Sequence, residues 1–219
     1  MNKNKHKEPY MKQQQTALIA AGIVALIYFY GALYGHRTLM LITKALPVLI
    51  LAFHLPIRSK FSKKILMGLI FSAIGDFLLQ INESKLFIFG LTAFLIAHIF
   101  YIIAFVEREK KLDLASLPFF IMIGAAELYF LYPNLGEAKI PVLLYMTTIL
   151  VMLWRAFVQR KAGKYAIYAF IGAALFVISD SVIAFDKFYH HDRFSFWIIM
   201  ITYWLAQGFI YYSAYKSDM

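Results

Sequence analysis

The chain has 219 residues, of which 62% are hydrophobic, 18% aromatic and only 16% charged, with a net charge of +10. Soluble domains carry about a quarter charged residues. Here the apolar residues instead gather into runs of about twenty, long enough to cross roughly 30 Å of hydrocarbon, so a soluble globular fold is excluded. The absence of cysteine also excludes disulfides, thiolate metal sites and cysteine nucleophiles.

The chain opens on a basic polar stretch, MNKNKHKEPYMKQQQ, read as a tail over 1–15. It is similar to the start of a signal peptide. The apolar run behind it is too long for that and shows no convincing cleavage site, so it reads as a retained first helix. The pattern predicts eight membrane-crossing helices, at about 16–34, 38–55, 64–81, 85–106, 114–132, 139–157, 165–186 and 194–215. They form a single all-α transmembrane domain over 16–215, a polytopic helical bundle, followed by a short tail over 216–219.

Sixteen of the 22 lysines and arginines fall in segments on one side of this layout. Five (Arg37, Lys85, Lys139, Lys187 and Arg193) fall on the other, and Lys44 lies inside the second span. That asymmetry predicts an integral membrane protein with both termini cytoplasmic, in the cell membrane if the source is bacterial. It also explains the basic charge without nucleic acid as a partner. Aligning Asp76 with Asp180 brings Gly68 onto Gly172 and Ile74 onto Ile178. The match is compatible with two parallel four-helix halves.

Ionisable groups inside membrane helices are costly and mark functional sites by default. They are Lys44, Asp76, His98, Glu127 and Asp180, joined by Tyr101, Tyr145, Tyr203 and Gln207. A rise of about 1.5 Å per residue puts Lys44, Asp76, Glu127, Tyr145 and Asp180 roughly 8–9 Å below the outer boundary. His98 and Gln207 lie deeper. Gly68, Ser72, Asp76 and Gln80 recur every fourth residue, as do Gly172, Phe176 and Asp180, and Gly90, Phe94 and His98. These small-and-polar stripes point the acids and His98 towards neighbouring helices. The plainer alternatives are a buried ion pair with Lys44, which can neutralise only one acid, and a His98 bonded to a carbonyl. The six histidines show neither HxxxH nor HExxH spacing, and no metal or cofactor is expected.

Several short motifs together resemble the YhhN family of membrane proteins, whose animal members are lysoplasmalogenases. They are Gly75-Asp76, the Phe94/His98/Tyr101 pattern, GAALFVISD at 172–180, YWLAQ at 203–207 and Lys44 in TKALPVLILAF. The resemblance covers about 38–215. One departure is that the family pattern leads one to expect proline directly after the lysine, whereas Ala45 stands there and Pro47 follows. The resemblance implies hydrolysis of the vinyl-ether bond of a lysophospholipid drawn from the surrounding membrane lipids. Asp76 and Asp180 would be the acid/base pair. Lys44, His98, Tyr101, Glu127, Tyr145, Tyr203 and Gln207 would line the site. The same buried acids would also suit a proton-coupled transporter or flippase of a small amphiphile, or a non-catalytic lipid-binding protein. Oligomeric state is not legible.

Overall fold

The computed structural model describes residues 8–219. Among them every regular element is helical. Helix α1 (Glu8–Leu33) starts inside the stretch expected to be a tail, and residues 1–7 of that expectation lie outside the described residues. The chain reverses through Gly35, whose φ of 70° suits glycine, into α2 (Arg37–Thr43) and then α3 (Leu46–His54). The second span is thus two short helices with a break at Lys44–Ala45. Pro47 sits in the first turn of α3, where its missing N–H has no intrahelical partner to lose.

Helix α4 (Lys60–Ile81) begins with a reciprocal cap. The Ser59 hydroxyl accepts the Ser62 N–H at 3.1 Å, and Ser62 Oγ accepts the Ser59 N–H at 3.2 Å. Only Asn82 separates it from α5 (Glu83–Arg108), and Asn82 Oδ1 caps that helix by accepting the Lys85 N–H at 3.1 Å. Helix α6 (Leu117–Leu131) continues through two 3₁₀ turns into α7 (Lys139–Gln159). Helices α8 (Ala166–Phe188) and α9 (Ser195–Ser217) complete the chain.

Among the described residues six segments are long and apolar enough to cross a membrane, one of them the broken span Arg37–His54. The expected count of eight is not reached. Helix α6 has 15 residues, about 22 Å at the helical rise, which is short of the hydrocarbon thickness. Helix α9 has 23 residues, but its tyrosines, Trp204 and Gln207 lower its hydropathy.

Contacts sort the connections onto two ends of the bundle. At one end Arg37 reaches the Ile81 carbonyl, Phe87 meets Phe188 and Phe130 meets Tyr189. At the other, Asp218 accepts from the Ser59 hydroxyl at 2.6 Å and the Arg58 N–H at 2.9 Å. Trp154 Nε1 there donates to Ser116 Oγ at 3.1 Å.

In lipid, helices associate through close packing rather than hydrophobic exclusion, so small residues decide where they touch. The tightest pairs are α4 with α5 and α8 with α9. A Cβ on Gly68 would fall 2.1 Å from the Tyr101 ring, and one on Gly172 would fall 2.7 Å from the Ala206 carbonyl oxygen. The two glycines matched by the internal alignment therefore do the same job, each seating an aspartate-bearing helix on the next. Large apolar residues such as Ile19, Ile23 and Leu26 of α1 remain exposed, as a lipid-facing surface requires.

Candidate active site

The stripe on α4 faces inward as its spacing predicts: Gly68, Ser72 and Asp76 are all buried. Gly75, just before the aspartate, gives room to Phe94 of α5, whose ring a Cβ would meet at 2.6 Å. On α8, Gly172 and Phe176 are buried, and Asp180 is half-buried one turn further on. The two tight helix pairs thus bring Asp76 and Asp180 onto the wall of one cavity of about 90 Å³.

Each aspartate accepts a hydrogen bond from a tyrosine on another helix. Tyr203 of α9 donates to Asp76 Oδ2 at 2.6 Å, and Tyr145 of α7 donates to Asp180 Oδ2. A buried carboxyl needs such partners, and each hydroxyl also fixes which oxygen faces the cavity. Lys44, at the helix break, lines the same cavity, and its charge acts on Asp76. Five expected residues (Lys44, Asp76, Tyr145, Asp180 and Tyr203) therefore converge.

Four expected residues do not line this cavity. His98 lies beneath it, fully buried, with its ring 4.6 Å from Phe176 and 5.3 Å from Tyr145 between centroids. Neither of its ring nitrogens meets a hydrogen-bond partner among the described residues, so the carbonyl bond considered from sequence is not formed. Tyr101 donates to Gln207 Oε1 at 2.8 Å, one turn of α9 below Tyr203. Glu127 of α6 lies to the side, near enough for its charge to act on Asp180 and for its carboxyl to meet Ser181. Depth alone had placed it with the aspartates, but α6 packs outside the cavity wall.

Tyr28 is a neighbour that the sequence did not single out. It is buried, donates to Gln80 Oε1 at 3.3 Å, and packs on Phe196 and Trp204. Six residues from the outer end of the first expected span, it shares the depth of the aspartates, which was the available signal. Among the described residues, no three His, Asp or Glu side chains gather closely enough to hold a metal ion.

This geometry can be set beside known proteins. Residues 36–214 match the YhhN family. The chain belongs to the YhhN family. Lysoplasmalogenase TMEM86A of Bos taurus is 36% identical over 160 residues, covering 70% of this chain and 66% of that protein. Lysoplasmalogenase TMEM86B of Homo sapiens is 31% identical over 182 residues, covering 81% and 76%. The membrane protein YhhN of Escherichia coli O157:H7 is 31% identical over 140 residues, covering 62% and 66%. The chain thus spans just under two thirds of the length of the TMEM86A relative. No solved structure matches it significantly.

Proposed function

We propose that this YhhN-family protein is a membrane hydrolase that cleaves the vinyl-ether bond of a lysoplasmalogen-like lysophospholipid. The observation that carries the reading is the pair of aspartates, held by tyrosines from two further helices, on the wall of one small cavity in the bundle. Relatives named lysoplasmalogenase support it.

Hydrolysis of a vinyl ether begins with proton transfer to the alkene carbon remote from oxygen. The π electrons form the new C–H bond, and positive charge spreads over the adjacent carbon and the ether oxygen. Water adds to that carbon and loses a proton, giving a hemiacetal. The hemiacetal O–H then yields its proton as the C–O bond to glycerol breaks, and the glycerol oxygen takes up a proton. One water is consumed, and a fatty aldehyde and a glycerophospho-head-group product leave.

Two carboxyls can divide this work, as they do where glycosidic bonds break through an oxocarbenium-like state. Asp180 is assigned the acid that protonates carbon. Asp76, beside the Lys44 ammonium, is assigned the carboxylate that faces the cation and takes the proton from water. Tyr145 and Tyr203 position the two carboxyls. The cavity holds the reacting atoms and water, while the alkyl chain runs along apolar side chains such as Leu91, Ile183 and Phe188.

The test is product analysis. Purified protein is incubated with a lysoplasmalogen and, separately, with its saturated-ether analogue. Aldehyde is expected from the first only. A folded preparation that releases none would refute the assigned reaction.

A further inference from the structure

Beside the aspartate cavity lies a second, larger cleft of about 600 Å³, at the end of the bundle where α4 passes into α5. Three cationic side chains line it: Arg37 at the start of α2, Lys44 at its end and Lys187 near the end of α8. We propose that this cleft binds the phosphate of a single-chain phospholipid head group, with Arg37, Lys44 and Lys187 as its ligands. The identity of the ligand rests on the hydrolase reading above.

The register of the helices produces the cluster. Arg37 and Lys44 are seven residues apart, and Lys44 keeps helical dihedrals (φ −59°, ψ −50°), so both leave α2 within about 20° of one direction. Lys187 stands in the same relation to Asp180 on α8, two turns on along the face that carries the acid. Local contacts hold the cations at the cleft. Arg37 Nη2 donates to the Ile81 carbonyl at 3.4 Å, and the Lys187 ammonium lies 4.1 Å from the centre of the Phe87 ring. This end of the chain carries few cations, five of the 22 by the charge pattern, yet two of them converge on one cleft with Lys44. General surface basicity would not concentrate them so. An arginine fork and two ammonium groups are the donors that phosphate recognition uses.

The cleft and the aspartate cavity share Lys44 and Leu79, so they adjoin. In a lysoplasmalogen the ether oxygen is five bonds from phosphorus, about 6 Å when extended. Asp76 and Gln80 are four residues apart on α4, also about 6 Å along the helix. Gln80 lines the cleft, so a ligand whose phosphate sits at that wall can reach the aspartate cavity with its ether oxygen.

The experiment reads binding without turnover. The purified protein is titrated with a saturated 1-alkyl lysophospholipid, with the matching 1-alkylglycerol that lacks phosphate, and with inorganic phosphate. The lysophospholipid is expected to bind at least about tenfold more tightly than the alkylglycerol, equivalent to about 1.4 kcal/mol. The Arg37→Gln/Lys187→Gln double variant is expected to erase that difference. Equal affinities in the unmodified protein, or a preference that survives in a folded double variant, overturns the proposal. Inorganic phosphate that binds and is lost in the variant, with no lysophospholipid preference, assigns the cleft to the free ion and overturns the head-group claim. Because the ether ligand is not cleaved, absence of aldehyde in the earlier assay would sink the hydrolase reading without touching this result.

Discussion

Replacing Gly172 with alanine tests whether close helix contact sets the site. The new Cβ would lie 2.7 Å from the Ala206 carbonyl oxygen, 2.8 Å from Ile210 Cγ1 and 3.1 Å from Ile210 N. Ordinary contact begins near 3.4 Å, so α8 and α9 must separate by about 0.7 Å. Two of the three obstacles are backbone atoms, which no rotamer change can move aside. Overpacking of this kind costs about 1–3 kcal/mol. Alanine also gains helix propensity, so the comparison is with Gly22→Ala on α1, which makes the same chemical change where nothing lies within 4 Å. The difference between the two variants isolates the clash. At about 2–4 °C per kcal/mol for a chain of this size, Gly172→Ala should melt at least about 2 °C below Gly22→Ala in detergent. The separation would also carry Tyr203 on α9 away from the α8 side of the cavity, so aldehyde release should fall in the same variant. If the two glycine variants melt together, glycine-mediated contact does not hold these helices.

Asp76→Asn and Asp180→Asn should each lower aldehyde release by at least about 100-fold in folded protein, the usual scale for a lost acid/base group. Full rate in both would refute the assigned mechanism even if the activity is right. Tyr203→Phe should cost about tenfold, the worth of one hydrogen bond to a charged group, and Tyr145→Phe about fivefold, since its partner is the protonated acid, with the larger effect on turnover in both. No native cysteine competes for labelling, so Glu137→Cys and Ala162→Cys, both at exposed positions, give clean topology reporters. A membrane-impermeant thiol reagent applied to intact cells should reach position 137 and not 162. Labelling of 162 alone would reverse the predicted orientation.

The aspartates were legible because a charge in an apolar run has few innocent explanations, and four-residue spacing says which way it points. Lys44 was legible for the same reason, and the break beside it accounts for the displaced proline: Pro47 fits the first turn of a new helix. The pairing of Tyr203 with Asp76 and Tyr145 with Asp180 was not legible. Depth places a hydroxyl in a layer, but which helices adjoin is a matter of tertiary packing. Glu127 shows the same limit from the other side, sharing the depth of the aspartates on a helix that lies outside their cavity. The count of eight spans is not confirmed at α6 and α9: an apolar run does not reveal that α6 will wind for only 15 residues, and α9, though continuous over 23, carries tyrosines, Trp204 and Gln207 that lower its hydropathy. Arg37 and Lys187 were visible only as entries in a charge balance. Their seven-residue spacings from Lys44 and Asp180 were the overlooked signal.

The break at Lys44–Ala45 gives the second pass a mechanical property that a continuous helix lacks. The backbone ladder runs up to the bond from the Lys44 N–H to the Met40 carbonyl and resumes with the Leu49 N–H on the Ala45 carbonyl. Between those rungs the rod is jointed. Below the joint, α3 is locked by Val48 and Leu51 in the core. Above it, α2 is a seven-residue lever with one cation at each tip and a glycine pivot at Gly35. The break thus sets where the Lys44 ammonium stands, between a segment locked in the core and one tied to the rim by Arg37.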